Sequence, residues 1–240
     1  GVMQYFGGKA RIAKNLAQFL ESELKPGQTF IDLFCGSCNV VSKIPDTYTR
    51  IANDKHRYLM AMWEYVQRGG YLPDNISEEE YKHIKDNREE YEDWLVGFVG
   101  FGLSYSGKWW GGYCRDNNGR NYCVNAKNSI LKKINLMEDV IFTNKDYTTF
   151  EIPTDSLIYC DIPYKNTTKY CKKEVGVFSH DDFYEWAVKT EDEGTPVYIS
   201  EYADGAPEDA TVVWSKHSKK DIRNSDGVLQ PTEEIVFRFL

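Results

Sequence analysis

The apolar positions of the chain change period several times, and each change marks an element. Ile12, Leu16, Phe19, Leu20 and Leu24 recur at helical spacing over residues 10–24, and Lys25-Pro26-Gly27 then ends the run. Thr29 to Phe34 follows as a short apolar stretch and predicts a buried strand. After Gly36 the pattern predicts a return to helix, and Thr49 to Ala52 predicts a second strand ending at Asn53-Asp54, which completes a strand, helix, strand unit. From Leu59 to about Asn135 the character differs. Helical stretches over 55–68 and 77–103 lead into a glycine- and aromatic-rich run, SYSGKWWGGYCRDNNGRNYC. Alternating strand and helix patterns then resume, with strands at Val140–Thr143, Leu157–Tyr159 and Val197–Ser200, a helix over 180–193, and a closing pair of strands at 211–214 and 234–239. The pattern predicts one α/β domain, residues 3–58 and 136–240, interrupted by an inserted subdomain at 59–135.

Composition narrows the class. A chain of 240 residues, 41% hydrophobic, is large enough for one core with an insertion. It contains no apolar run long enough to span a membrane and no signal-peptide pattern, so a cytoplasmic protein with no membrane partner is expected. Six cysteines scattered over this length fit a reduced compartment better than a disulfide framework.

The formal charge of −8 is unevenly spread. Residues 74–93 hold nine acidic against three basic side chains and read as a solvated helical face turned away from any polyanion. Residues 104–133 carry six basic side chains against one acid, 165–173 add four lysines, and 216–223 add three lysines and Arg223 against one acid. Three basic segments on an acidic body suggest one charged face and a nucleic-acid partner.

Asp161-Ile162-Pro163-Tyr164 follows the apolar strand Leu157-Ile158-Tyr159, so it falls at a strand's carboxyl end, where open α/β sheets bind ligands. The exocyclic amine of a base is a poor nucleophile because its lone pair is delocalised into the ring. Activating it takes hydrogen-bond acceptors for the amino group: the Asp161 carboxylate and the Ile162 carbonyl, whose direction Pro163 restrains. Tyr164 can stack on a flipped base. At the other end of the sequence, Gln4-Tyr5-Phe6-Gly7-Gly8-Lys9 precedes the first helix. Its glycines allow close backbone approach to a ligand, and Lys9 can neutralise a carboxylate. Asp32-Leu33-Phe34-Cys35-Gly36-Ser37-Cys38 runs from a strand into a turn where Gly36 lets a nucleoside lie against backbone and Phe34 gives apolar contact. The C-x-x-C spacing of Cys35 and Cys38 has no matching second pair, and no metal site is expected. Asp54, at the end of the second strand, suits a ribose diol, and Asp146 suits an adenine amino group. In the insertion, Lys108, Arg115, Arg120, Asn121 and Lys127 are candidate DNA contacts, interleaved with Trp109, Trp110, Tyr113 and Tyr122. Packing of those aromatics in a subdomain core is the competing explanation.

Asp161 to Tyr164 resembles the DPPY motif of amino-group DNA methyltransferases, in particular the Dam-like (D12 class) adenine methyltransferases common in bacteria and phages, with Ile162 in place of the first proline. Tyr5 to Lys9 is similar to the aromatic-x-GGK motif that opens those enzymes, and Phe34 to Cys38 to their F-x-G-x-G motif, with Cys38 in place of the second glycine. The resemblance implies a Rossmann-like seven-stranded sheet with a helical DNA-recognition insertion. S-adenosyl-L-methionine would be the cofactor, held by Tyr5, Gly8, Lys9, Asp32, Phe34, Gly36, Asp54, Asp146 and Asp161. Double-stranded DNA would be the partner of a monomer or weak dimer. The catalytic residues it implies are Asp161, Ile162, Pro163 and Tyr164, acting on adenine N6. The same acceptor pair would serve the amino group of cytosine or an RNA base, and the departures at Ile162 and Cys38 leave open a fold that binds without transferring methyl groups.

Overall fold

A computed structural model of the chain describes residues 12–115, 121–165, 177–223 and 229–240. Its centre is a seven-stranded sheet of β1 (Thr29–Asp32), β2 (Thr49–Asn53), β3 (Ile141–Thr143), β4 (Ser156–Cys160), β5 (Val197–Tyr202), β6 (Thr211–Arg223) and β7 (Leu229–Arg238). The strand order is β3-β2-β1-β4-β5-β7-β6, parallel from β3 to β5, with β7 antiparallel to both β5 and β6. This is the Rossmann-like α/β sheet expected. The chain order reverses between β1 and β4, and that is where such sheets open a crevice for ligands.

Side-chain alternation sorts the strands onto two faces. Phe30, Leu157, Tyr159, Tyr198 and Val236 pack with Leu16 and Leu20 of α1 (Ala13–Glu23) and with Met62 and Trp63 of α2 (Arg57–Gln67). The same cluster continues into the insertion through Ile84 of α3 (Glu78–Asp86), Val96 of α4 (Asp93–Gly97) and Ile130 of α5 (Tyr122–Ile134). On the opposite face Ile31, Leu33, Ile158, Cys160, Ile162 and Ile199 pack with Phe183 and Ala187 of α6 (His180–Asp192). Among the described residues no helix is long and apolar enough to cross a membrane.

Four expectations need correction. The stretch after Gly36 forms one 3-10 turn, Val41–Lys43, because Cys38 takes a positive φ of 62° and Pro45 holds Ile44 extended. The 77–103 run is broken at Asn87, with φ −133°, whose side chain donates to the His83 carbonyl; it resumes as a 3-10 turn, α4 and a π-helix over Phe98–Gly102. Helix α5 was not expected, although Asn121 caps it by accepting from Val124 N and Cys123, Ala126, Ile130 and Ile134 form its buried stripe. The aromatic run before it and its many polar residues hide that periodicity. The closing strands are longer than the apolar pattern, since pairing between β6 and β7 carries them outward to Arg223 and Leu229. Gly97 lets α4 lie directly on α2, because a Cβ there would sit 2.1 Å from the Tyr58 carbonyl oxygen.

Candidate active site

Asp32 closes β1 opposite Tyr159 of β4, so the two side chains lie on one face, and Asp161 follows two residues after Tyr159. All three line one cleft at the carboxyl ends of β1 and β4. Its remaining wall comes from the turn after β1: Phe34, Cys35, Ser37, Asn39 and Val40. The in-between residues Leu33, Cys160 and Ile162 point to the α6 face and anchor the floor in the apolar core.

The turn is held by backbone bonds to both neighbouring strands. Leu33 N donates to the Tyr159 carbonyl at 3.0 Å, and Cys35 N to the Asn53 carbonyl at 2.8 Å. Gly36 has φ +51°, its N–H donates to Asp54 Oδ2 at 3.0 Å, and its carbonyl accepts from Trp63 Nε1 at 3.0 Å. Cys38 occupies the left-handed region that a glycine would take most easily, with its side chain fully buried. Lys133 of α5 donates to the Ser37 carbonyl at 2.8 Å, so the insertion grips the same turn. Asn53 ties three segments together: its amide donates to the Leu33 and Lys145 carbonyls while its Oδ1 accepts from Thr143 Oγ1 and Lys145 N.

The cleft is acidic. Burial pushes the Asp32 carboxyl well above the usual carboxylate range, and the charges of Asp161 and Asp54 push the same way. Burial also raises Asp54, although N–H groups of His56 and Gly36 bond its carboxylate. Asp32 is 2% exposed, and its Oδ1, with Ser37 Oγ and Asn39 Nδ2, is buried with no hydrogen-bond partner among the described residues. Buried polar atoms left in this state point to a ligand that completes them. Beside two carboxylates, that ligand should carry positive charge together with hydrogen-bonding groups. S-adenosylmethionine, with a sulfonium and an ammonium group, fits this donor and acceptor set.

The structure brings Asp32, Phe34 and Asp161 together, with Gly36 and Asp54 bracing the turn between them. Phe34 packs edge-on against Phe178 and Phe183, 5.9 and 5.7 Å between centroids. Asp146 stands beyond β3, where its Oδ1 caps the 3-10 turn Tyr147–Thr149 through Thr148 N and its Oδ2 pairs with Lys55 at 3.1 Å. Pro163 and Tyr164 continue the loop after Asp161, with Tyr164 edge-on to Tyr202 at 4.6 Å. Tyr5, Gly8, Lys9 and Arg120 lie outside the described residues. Ser37, Asn39 and Tyr159 escaped the sequence reading. The first two were legible as polar residues in a turn beside the glycine motif; Tyr159 looked like strand core, and only its register with Asp32 brings it to the cleft.

In the insertion the acidic segment and the basic run meet at two ion pairs. Glu78 pairs with Arg115, and Asp74 pairs with Lys127 at 2.8 Å, so acidic and basic runs share one surface. Lys127 also lies 3.9 Å from the Tyr71 ring centroid. Asn121 divides its side chain between the Val124 amide and the Asp74 carbonyl, while Lys108 is exposed. Trp109 packs on His56, Tyr58 and Phe101, and Trp110 on Tyr81, which makes these rings part of the subdomain core. Cys35, Cys38, Cys123 and Cys160 are free thiols, and no metal-binding cluster occurs among the described residues.

Residues 5–94 match the D12 class N6 adenine-specific DNA methyltransferase family, a stretch that includes Asp32, Gly36 and Asp54 and ends before the Asp161 loop. The methyl donor of that family is S-adenosylmethionine. Among solved structures, the chain is similar to a provisionally assigned RNA methyltransferase of Pyrococcus horikoshii, with 11% identity, 95% of this chain and 83% of that one covered, and a TM-score of 0.43. It is similar to a tRNA methyltransferase of Aquifex aeolicus at 12% identity, over 95% of this chain and 68% of that one, with a TM-score of 0.39. A provisionally assigned methylase of Haemophilus influenzae gives 11% identity, 95% and 88% coverage and a TM-score of 0.36. No curated protein matches the sequence.

Proposed function

We propose that this chain, whose residues 5–94 match the D12 class of N6 adenine-specific DNA methyltransferases, transfers a methyl group from S-adenosylmethionine to the N6 amino group of an adenine flipped out of double-stranded DNA. The observation that carries the reading is the acidic cleft at the β1/β4 reversal, where Asp161 shares a wall with the incompletely bonded Asp32, Ser37 and Asn39.

S-adenosylmethionine supplies an electrophilic methyl group on a sulfonium. Asp32, Ser37 and Asn39 would hold it, with Gly36 keeping the turn open and Asp54 fixing that turn through the Gly36 amide. Tyr5, Gly8 and Lys9 complete the proposed cofactor set from the N-terminal motif, and Asp146 stands beyond β3 for the adenine moiety. The chain's own task is the amine. The Asp161 carboxylate and the Ile162 carbonyl each accept a hydrogen bond from the amino group, which draws its lone pair out of conjugation with the ring. Tyr164, buried edge-on against Tyr202, would have to turn a face to the cleft to stack on the flipped base. Lys108, Arg115, Arg120, Asn121 and Lys127 form the proposed DNA surface of the insertion, with Arg115 and Lys127 exchanging their internal carboxylates for phosphates.

The test is to incubate the protein with unmethylated duplex DNA and isotopically labelled S-adenosylmethionine, digest to nucleosides and identify the labelled product by mass spectrometry. Label on N6 of adenine is expected. Label on cytosine, or label appearing only with RNA, would replace the substrate assignment, and cofactor binding without any labelled base would overturn the enzymatic reading.

A further inference from the structure

The loop that carries Asp161 departs from its motif at Ile162, where a proline ring would stiffen the backbone. Three contacts hold it instead. The Ile162 side chain is 2% exposed and packs in the core under α6. The next carbonyl, of Pro163, accepts a hydrogen bond from His180 Nε2 at 2.6 Å. One residue beyond Tyr164, the Lys165 amide donates to Glu201 Oε2 at 3.1 Å. The peptide groups on either side of Tyr164 are therefore held by two side chains from different elements.

Both side chains are placed by their own surroundings. His180 is the first residue of α6, a helix whose start is fixed by Ser179 Oγ accepting from Asp182 N at 3.2 Å. Its ring is buried, 5.1 Å from Phe178 and 6.0 Å from Tyr184 between centroids. Glu201 is fully buried near the carboxyl end of β5, and its second oxygen accepts from Tyr202 N at 2.9 Å. Gly205 leaves the carboxylate its space, since a Cβ there would lie 2.8 Å from Glu201 Cδ. Buried carboxyl oxygens are normally hydrogen-bonded, and the Lys165 amide supplies such a bond to Oε2 while the loop stays in place.

We infer that His180 and Glu201 are positioning residues that clamp the Asp161–Tyr164 loop from both sides of Tyr164, supplying the rigidity that the missing proline would give. The inference rests on the methyltransferase reading for its consequence in turnover, and on geometry alone for its consequence in loop order. Displacement of a reacting group by about 1 Å costs on the order of a hundredfold in rate, so the clamp acts on kcat, whereas the cofactor wall lies on the turn after β1.

The experiment compares His180→Phe, His180→Gln and Glu201→Gln with the parent chain in three measurements. These are amide hydrogen exchange over residues 161–165, the dissociation constant for S-adenosylmethionine, and methyl transfer to duplex DNA. His180→Phe keeps a ring but loses the donor. It should speed exchange at Tyr164 and Lys165 and lower kcat by about tenfold to a hundredfold, with cofactor affinity and KM for DNA unchanged. His180→Gln, whose amide can occupy the Nε2 position, should restore both exchange and kcat. Glu201→Gln should speed exchange at Lys165 in particular. Parental exchange in His180→Phe and Glu201→Gln would overturn the clamp whatever the activity. If the parent transfers no methyl group, the exchange measurement still decides the clamp while the functional reading falls separately.

Discussion

At the scale of single residues, the proposed chemistry falls to Asp161 and Asp32, and Cys38 braces the turn between them from the left-handed region. Asp161→Ala removes the acceptor for the amine, so methyl transfer should drop by several orders of magnitude while duplex binding survives; near-parental turnover would defeat the assignment. Asp32 has its carboxyl raised by burial and by Asp161. A group raised in the folded state stabilises the fold at low pH and loses that contribution as pH climbs through the raised value. Wherever Asp32 is ionised in the fold, its burial costs stability, and a bound cation offsets that cost. Asp32→Asn should melt no lower than the parent at pH 7, yet show a smaller melting shift on adding S-adenosylmethionine. The parent's own shift should shrink as pH falls and Asp32 takes up its proton. Cys38, at φ 62°, pits burial against backbone strain. Cys38→Gly relieves about 1 kcal/mol of left-handed strain while forfeiting a similar amount of packing. Cys38→Val, β-branched at positive φ, should cost more than about 2 kcal/mol in urea unfolding.

At the scale of elements, two basic side chains fasten loops to the sheet. Arg50 of β2 is 2% exposed and donates to the Ile44 carbonyl at 2.9 Å and the Leu136 carbonyl at 3.0 Å, with Asp139 completing its fork. Arg50→Met would leave two carbonyls underbonded and cost about 2–4 kcal/mol, measurable by chemical denaturation. Lys133 joins α5 to the glycine turn, and burial lowers its ammonium to about 8. Between that value and the ordinary lysine range the unfolded chain holds the proton more tightly than the folded one, so stability should rise with pH across this window. Lys133→Met should abolish that rise, so the urea midpoint of the parent should gain on that of the variant between pH 7.5 and 10, and a pH-independent difference would refute the coupling.

At the scale of the whole molecule, the net charge of −8 conceals an insertion in which acidic and basic runs pair. Arg115 remains 70% exposed despite its pairing with Glu78, a geometry that stabilises little and is easily exchanged. Glu78→Gln should therefore leave the melting temperature nearly unchanged and strengthen duplex binding several-fold at low salt. Fluorescence anisotropy titrations at two salt concentrations would check this, and unchanged affinity would exclude this pair from the DNA surface.

The α/β class, the order of the strands along the chain and the motif at the end of β4 were legible because buried strands and amphipathic helices print their periods directly into residues such as Phe30, Ile158 and Leu16. The place of Asp161 at the cleft needed only the strand before it. Tertiary structure alone decided the partners. Tyr159 reaches the cleft through its register with Asp32, and Glu201 meets the Lys165 amide because β5 lies beside β4. The acidic 74–93 segment lies against the basic run because α3 and α5 pack into one core. Each of these depends on contacts between segments far apart in the chain, and local periodicity carries no record of which distant segment a side chain will face.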